Sequence, residues 1–292
     1  MFSGSTPAGQ GISSMHSVVC LKQVPDTAEI KIDPETNTLV RAGVESIANP
    51  YDLAAVEEAV RLKEKYGGMV TAICMGPPQA ESALRQALAL GADEAVLISD
   101  RAFAGADTLA TSYTLSKVVE TLGRESPIDL VLCGKQAIDG DTAQTGPGIA
   151  TRLDFTQLTY VVDVEWVDPE NRRIQVRRKV EGGFEIICGP LPALLTVELE
   201  LAKPRRAPLP MLIGSLRAPV KVWDAKAIGA SPQFLGIKGS PTWVKAIASP
   251  QVHRAGPKYD TEQGVSVAVE KAVDTLFDDE DFALKLRKKW DT

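Results

Sequence analysis

One loop of this chain carries glycines and polar side chains of the kinds that bind phosphate groups. Residues 134–147 have the sequence GKQAIDGDTAQTGP and directly follow the apolar run DLVLCG. Backbone N–H groups that open a helix near Pro147 favour an anion at residues 142–149, and Thr142, Gln144 and Thr145 add neutral donors. The residues by themselves indicate an anion-binding or nucleotide-binding loop. An ordinary strand-to-helix connection with two Asx turns is the alternative that they leave open.

The same loop departs from the common phosphate-binding motifs. Lys135 is followed by glutamine rather than by serine or threonine, so the P-loop pattern is absent. Residues 146–151 are GPGIAT, in which a threonine replaces the last glycine of G-x-G-x-x-G. Asp139 and Asp141 would repel a phosphate. We therefore expect them to accept hydrogen bonds from ribose hydroxyls or loop amides, with Asp139 and Gly140 in a turn.

Apolar runs and amphipathic segments alternate in the first half of the chain. Buried strands are predicted at residues 17–24, 69–76, 94–99 and 129–134, and helices at residues 50–66, 79–90 and 108–122. We expect Asn49 to cap the first helix, with Pro50 at its first position and Asp52 near its positive end. Asp107 is expected to cap the third helix and Gly123 to end it. A hairpin turning at DPETN is expected within residues 28–46.

This alternation predicts an α/β fold, with an open, mostly parallel, Rossmann-like sheet that has helices on both faces. Ligands of such folds bind beyond the carboxyl ends of the strands, at the topological switch point. Five connections are therefore expected to line one crevice: residues 22–27, 49–52, 75–78, 100–107 and 134–148. Further along, the alternating pattern and turns of residues 156–201 predict a region of antiparallel strands.

Residues 203–260 differ from the rest of the chain in charge and composition. They hold ten Lys or Arg against two Asp, and eight of the 19 prolines, with no sustained helical or strand period. Their apolar content is too high for a solvated linker, so we predict an extended basic arm that docks on a partner. A solvated surface, or a contact that neutralises the acidic domain, is the alternative. The predicted organisation is a flexible extension (1–16), an α/β nucleotide-binding domain (17–202), the arm (203–260) and a helical tail (261–292).

Composition argues against several classes of protein. No run approaches the roughly eighteen apolar residues that span a bilayer, and the first fourteen residues lack the features of a secretory signal. The net charge of −6 and the lack of stacking aromatic residues among the bases argue against nucleic-acid binding. The four cysteines are widely spaced without a C-x-x-C pair. We predict buried reduced thiols in a cytoplasmic protein and no metal site.

Six segments of the chain resemble, in order and in spacing, motifs of the beta subunit of electron transfer flavoprotein. They are VVCLKQVPDT (18–27), NPYDLAAVEEAVRLKE (49–64), CMGP (74–77), ALALGADEAVLISD (87–100), FAGADTLATS (103–112) and KQAIDGDTAQTGP (135–147). The resemblance extends from about Ser17 to about Asp260. It implies a fold like that of the adenine nucleotide alpha hydrolases and an obligate heterodimer with an alpha subunit that carries most of the redox FAD site.

The resemblance also implies a cofactor. Housekeeping members of the family hold a structural AMP and pass electrons from acyl-CoA dehydrogenases to a quinone reductase. Electron-bifurcating members hold a second FAD, which accepts hydride from NADH, and their loop has the form DGDTAQxGP found at residues 139–147. FAD is therefore expected here and AMP is the alternative. No catalytic side chain is expected. A flavin-dependent dehydrogenase such as acyl-CoA dehydrogenase, and ferredoxin or flavodoxin, are the expected partners, with membrane association only through other subunits.

The family positions imply a set of cofactor-binding residues: Cys20, Asn49, Pro50, Tyr51, Asp52, Met75, Gly76, Asp107, Gly134, Asp139, Gly140, Asp141, Thr142, Ala143, Gln144, Thr145, Gly146, Pro147, Gly148 and Ala150. On local pattern alone, Cys20 and Met75 are equally well explained as core residues, and Asn49 and Asp52 as helix-capping residues. Leu209, in APLPMLIGSL, matches a leucine that the family inserts into its partner dehydrogenase. The lysines that often follow that leucine are missing here, which leaves the identity of the partner open.

Overall fold

The computed structural model describes residues 15–26, 31–32, 39–40, 46–243, 259 and 261–277. The strands are β1 (Met15–Leu21), β2 (Gln23–Pro25), β3 (Lys31–Ile32), β4 (Leu39–Val40), β5 (Ser46–Ala48), β6 (Gly68–Met75), β7 (Glu94–Ile98), β8 (Leu130–Gly134), β9 (Thr156–Asp168), β10 (Arg173–Val180), β11 (Gly183–Pro190), β12 (Ala193–Val197) and β13 (Lys221–Trp223). The helices are α1 (Pro50–Tyr66), α2 (Glu81–Leu90), α3 (Thr108–Glu125), α4 (Thr145–Leu153), α5 (Leu209–Arg217) and α6 (Val265–Phe277).

Nine strands form one sheet in the order β11-β10-β9-β12-β8-β1-β6-β7-β13. Every neighbouring pair from β9 to β13 is parallel, whereas β10 and β11 are antiparallel to their neighbours. All seven residues of β1 are buried because the sheet is covered on both faces. Val19 and Leu21 join one core with α1 and α2, while Val18 and Cys20 join the other with α3 and α4. The predicted fold class is confirmed.

Two helix boundaries differ from the sequence-based expectation. The third helix continues through Gly123 to Glu125, although glycine costs about 1 kcal/mol within a helix. A Cβ at Gly123 would lie at an ordinary van der Waals distance from Ile128, so the packing does not require glycine there. Helix α4 begins at Thr145, two residues before Pro147. Proline is tolerated there because the first turn of a helix does not need its N–H.

The region predicted as antiparallel contains one strand that is not. Strands β9, β10 and β11 are antiparallel as expected, but β12 lies between β9 and β8 and is parallel to both. Its five residues are all buried, as is typical of a central parallel strand, whereas β10 and β11 have exposed positions. The hairpin expected within residues 28–46 is present as the antiparallel β3–β4 pair. Its turn lies outside the described residues.

Residues 203–243 hold regular structure that their sequence pattern does not predict. Helix α5 packs on α2, and β13 adds a parallel edge strand to β7. The chain forms two compact units, Met1–Ile247 and Ala248–Thr292. Within the second unit the predicted C-terminal helix is described as α6, and the rest of the predicted helical tail lies outside the described residues.

Candidate functional site

The switch point of the sheet lies between β1 and β8. The chain runs from β1 through β6 to β7 on one side, and β8 then pairs with the opposite edge of β1. In open α/β sheets the crevice at such a point binds the ligand. Here it lies where β1 ends at Leu21 and β8 ends at Gly134, directly before the loop that carries the candidate anion-binding residues.

Asp52 joins the two strands of the switch point. Its carboxylate accepts the backbone N–H of Lys22 at 2.8 Å and that of Gly134 at 3.0 Å. The side chain is buried, and burial raises the pKa of Asp52 to about 7, against the opposing effect of these hydrogen bonds. A Cβ at residue 134 would lie 2.5 Å from an Asp52 oxygen, so glycine is required there. Asp52 therefore holds the site together by contacts to backbone.

Asn49 does not cap α1 with its side chain, contrary to expectation. It occupies the N-cap position, but its Nδ2 donates to the Gln136 carbonyl at 2.9 Å and its Oδ1 accepts the Ile138 N–H at 3.3 Å. The residue is fully buried. Its amide thus fixes the start of the loop that follows β8. A local pattern cannot distinguish this from a cap, because the partners lie almost ninety residues away in the sequence.

The loop itself presents several backbone donors that have no acceptor within the described part of the chain. A turn is closed by the N–H groups of Gly140 and Asp141 on the Ala137 carbonyl, and Gln136 Nε2 donates to Asp141 at 2.7 Å. Asp141 and Ala143 have φ values of 50° and 54°, in the left-handed region. Among the described residues, no group accepts a hydrogen bond from the backbone N–H groups of residues 142–146. Such an array at the start of a helix is suited to an anion.

The glycines of the loop have different roles. A Cβ at Gly146 would lie 2.6 Å from the Thr196 methyl and 2.8 Å from the Cys133 sulfur, and one at Gly148 would lie 2.8 Å from Ser112. Those two glycines allow α4 to pack closely on its neighbours. A Cβ at Gly140 would meet nothing within 4 Å, and its φ is not left-handed. The fold therefore does not require glycine at position 140.

Two lysines directly follow the strands of the switch point. Lys22 Nζ pairs with both oxygens of Asp139, at 2.7 and 2.8 Å. Lys135 Nζ is 3.0 Å from Glu198 and lies over the Tyr51 ring at 5.3 Å and the Tyr160 ring at 5.8 Å. Despite desolvation, the Glu198 carboxylate raises the pKa of Lys135.

Lys22, Lys135, Tyr160 and Glu198 were not predicted as site residues, although Lys22 begins a connection, residues 22–27, that was expected to line the crevice. Lys22 and Lys135 could have been found from their positions directly after apolar strands. Tyr160 gives no such signal, because its left-handed φ of 58° arises where the β9–β12 register shifts.

The remaining predicted residues surround this centre. Cys20 and Cys133 are buried beneath it, with burial raising the pKa of each thiol. Met75 ends β6, and the Gly76 N–H donates to the Ile98 carbonyl. Pro50 and Tyr51 open α1, and Ala150 is buried in α4. Thr142 and Gln144 are exposed, and Gln144 is 3.4 Å from the Thr108 hydroxyl at the start of α3.

Asp107 caps α3 as expected, accepting the N–H groups of Leu109 and Ala110. It also accepts the Thr242 N–H and hydroxyl, so its carboxylate is fully engaged by protein.

Two expectations concern residues outside the crevice. Cys188 is exposed, not buried, because it lies on the edge strand β11 and faces Arg173. Leu209, the predicted docking residue, is 68% exposed at the first position of α5. In the part of the chain that the structure describes, no cluster of His, Cys, Asp or Glu could hold a metal ion, and no helix is long and apolar enough to cross a membrane.

The parallel sheet, its switch-point crevice and the donor-rich loop are typical of nucleotide-binding α/β proteins. Residues 36–228 match the electron transfer flavoprotein domain. Protein FixA of Azotobacter vinelandii is 52% identical over 238 residues, which are 81% of this chain and 85% of that protein. The electron transfer flavoprotein subunit beta of Clostridium acetobutylicum is 50% identical over 246 residues, 84% and 92% of the two chains. That of Thermoanaerobacterium thermosaccharolyticum is 49% identical over 263 residues, 90% and 98%.

The chain belongs to the electron transfer flavoprotein family, as a protein of the beta-subunit type. This confirms the resemblance drawn from the six motifs. Its general function is electron transfer, in which beta-type proteins act together with an alpha subunit and further electron-transfer partners.

Proposed function

We propose that this chain is the beta subunit of an electron-bifurcating electron transfer flavoprotein and that the switch-point crevice holds the ADP half of a FAD. Bound there, the FAD would accept hydride from NADH and deliver one electron to the FAD of the alpha subunit, and on to a partner dehydrogenase, and the other to ferredoxin or flavodoxin. The residues of this chain would bind and orient the group, without acting as acid or base. We expect a cytoplasmic protein.

The observation that carries this proposal is the combination of free backbone donors at residues 142–146 with open space at Gly140. A diphosphate is longer and more negatively charged than a monophosphate. Two unit charges about 4 Å apart interact by roughly 4 kcal/mol at an effective dielectric near 20, so one added carboxylate could exclude it. The absence of a side chain at Gly140 leaves both the space and the backbone N–H groups accessible.

Other residues would hold the rest of the nucleotide. Asp139 is exposed at the crevice, where it could accept hydrogen bonds from ribose hydroxyls, while Cys20 lies near the end of β1 and Met75 ends β6. Asp52 and Asn49 would act indirectly, because their polar atoms are already bonded to the backbone of the loop and of β1. These contacts fit an adenosine diphosphate moiety.

Pairing with an alpha subunit is supported by α6. Its residues Val265, Val269 and Val273 recur every four positions and are 66%, 55% and 42% exposed. A helix with such an apolar stripe is stabilised by a partner that covers it. The name of the clostridial relative, subunit beta, implies a second subunit in that protein.

The alternative is a housekeeping beta subunit in which AMP occupies the crevice and supports structure only, while electrons pass from acyl-CoA dehydrogenases to a quinone reductase. The same donors would bind a monophosphate. The alternative predicts one FAD and one AMP per heterodimer, whereas the proposal predicts two FAD and no AMP. Denaturing the freshly purified heterodimer and chromatographing the released nucleotides distinguishes the two.

Gly140→Asp tests the physical basis of the proposal. We expect this variant to lose the second FAD. Once both proteins are stripped of nucleotide, its thermal midpoint should be within about 2 °C of that of the wild type, because a side chain at this position meets no protein atom within 4 Å. Released-nucleotide chromatography and a thermal scan measure the two properties. Gly140→Asn is the matched control, with nearly the same volume and no charge, and should retain more FAD. Two FAD in the aspartate variant would contradict the charge argument.

A further inference from the structure

The ion pair between Lys22 and Asp139 spans the mouth of the switch-point crevice. Lys22 directly follows β1, and Asp139 lies in the loop after β8, so the pair joins the two strands between which the sheet changes direction. The side chains are 48% and 30% exposed. An ion pair with this exposure contributes little to stability, and its lysine can change partner at small cost.

The main chain of Lys22 is held by hydrogen bonds, whereas its side chain is half-exposed. Its backbone N–H donates to Asp52 at 2.8 Å, and its carbonyl accepts the Asn49 N–H at 2.9 Å. The main chain is thus held at both polar groups, while the four-carbon side chain extends into a half-exposed position. The ammonium group can therefore swing without disturbing β1.

Lys135, the second lysine at the switch point, is already held by other groups of the protein. Lys135 is less exposed, at 20%, and its ammonium group is held by the buried Glu198 carboxylate and by two tyrosine rings. Removing it from Glu198 would leave a buried carboxylate without its cation, which is costly. Of the two lysines that follow β1 and β8, Lys22 is the one that an incoming anion can recruit.

The loop carries two carboxylates near its anion-binding donors, so an anion bound there needs a nearby cation. An anion at the N–H groups of residues 142–146 would meet two carboxylates, Asp139 and Asp141. Asp141 accepts a neutral donor from Gln136, and Asp139 is neutralised by Lys22. Without Lys22 the loop would carry uncompensated negative charge directly beside its own anion-binding donors.

We propose that Lys22 is a specificity-determining residue for anionic nucleotides, which pairs with Asp139 when the crevice is free and with a phosphate group of the bound nucleotide when it is filled. This assignment rests on the proposed nucleotide site. It goes further in naming the cation that makes the crevice prefer phosphorylated nucleotides over the uncharged nucleoside.

The test compares adenosine, AMP and ADP binding to the nucleotide-stripped heterodimer by calorimetry. Lys22→Met should weaken AMP and ADP binding about tenfold, because a charge-assisted hydrogen bond is lost, and leave adenosine affinity within about twofold. Lys22→Arg should restore most of the preference. Lys63→Met is the matched control, since Lys63 makes a similar ion pair with Asp93, before β7 at the opposite end of the strands, and should leave the preference for anions unchanged.

Asp139→Asn distinguishes a change of partner by Lys22 from an ion pair that only stabilises the loop. If Lys22 changes partner, removing the competing carboxylate should raise the ratio of ADP to adenosine affinity about threefold. If the ion pair only braces the loop, the ratio should not rise, and the inference is wrong. If Lys22→Met binds AMP and ADP as tightly as the wild type does, the role proposed for Lys22 is wrong, but the nucleotide site is not affected. Failure of the wild-type pair to bind any of the three compounds would overturn the nucleotide site itself.

Discussion

Individual residues decide the geometry of the crevice, and Asp52 has the largest structural role among them. Its carboxylate is buried, yet it accepts two backbone N–H groups from strands that are distant in sequence. Burial disfavours the charged form, and this is the main cause of its raised pKa of about 7. The ionisation of one carboxyl group is therefore coupled to the stability of the site.

Asp52→Asn should change how stability depends on pH. A carboxyl group whose folded-state pKa is raised from 3.8 to about 7 contributes stability fully below pH 3.8, and that contribution is lost as pH rises through about 7. Between pH 4 and 7 the wild type should lose stability relative to the variant, by up to about 1.4 kcal/mol per pH unit. Urea unfolding at a series of pH values measures this difference.

The comparison is internally controlled, because His16 and every other titrating group is present in both proteins. The burial that lowers the pKa of His16 therefore cancels in the difference. Parallel pH profiles for wild type and Asp52→Asn would refute the coupling.

At the scale of elements, α1 is tied to the segment that follows β12. Arg205 binds Glu57 through its backbone N–H and guanidinium group, and it binds Glu64 about two turns further along the helix. The Glu57 side chain is only 4% exposed. Although burial opposes its ionisation, the hydrogen bonds from Arg205 hold the pKa of Glu57 below its usual value. This contribution to stability is present above pH 4.5 and is lost as pH falls through the folded-state value.

Arg205→Met should lower the free energy of unfolding by about 2 kcal/mol at neutral pH, because the buried Glu57 loses the guanidinium group and its hydrogen bonds and keeps only Arg61 as a cationic partner. Denaturant unfolding measures the loss. Lys203→Met is the control: Lys203 is exposed, lies two residues away and has the same charge, so the expected change is within about 0.5 kcal/mol. Equal effects of the two variants would show that net charge matters rather than the buried pair.

For the whole molecule, the basic segment contributes both to the fold and to an exposed surface. Strand β13 extends the sheet, and α5 is held by Arg85, which donates to the Ser215 and Ala218 carbonyls. The helix nevertheless exposes several apolar side chains: Leu209, Met211, Leu212, Ile213 and Leu216. A patch of this kind on a rigid helix is typical of a docking surface.

Leu209→Ala tests the proposed docking role: it should weaken electron exchange between the heterodimer and its proposed partner dehydrogenase, raising the half-saturating partner concentration about tenfold, as expected for loss of an interface anchor. Steady-state reduction of the heterodimer by an acyl-CoA dehydrogenase measures this. Leu216→Ala is the matched control, because Leu216 is 72% exposed on the same helix. Similar losses in both variants would contradict a specific role for Leu209 and indicate a diffuse apolar contact.

Much of the fold was predictable because local patterns carry it. Continuous apolar runs identified β1, β6, β7 and β8, and Asp107 identified the start of α3 through its cap. Connections at the carboxyl ends of parallel strands must meet at one edge, so the loops after β1 and β8 could be placed together before any contact was known. The parallel pairing of β12 and the helix α5 could not be predicted in this way, since both depend on the distant element that each packs against.

By itself, the sequence determined the alternation of strands and helices as far as β8, the donor-rich loop of residues 134–148 and the six family motifs, because periodicity, caps and turn chemistry act over a few residues. Only the tertiary structure decided that Asn49 braces the loop, that Asp52 joins two strand ends and that Lys22 faces Asp139. Each of these contacts joins residues 30 to 117 positions apart, which meet only after the parallel sheet has formed.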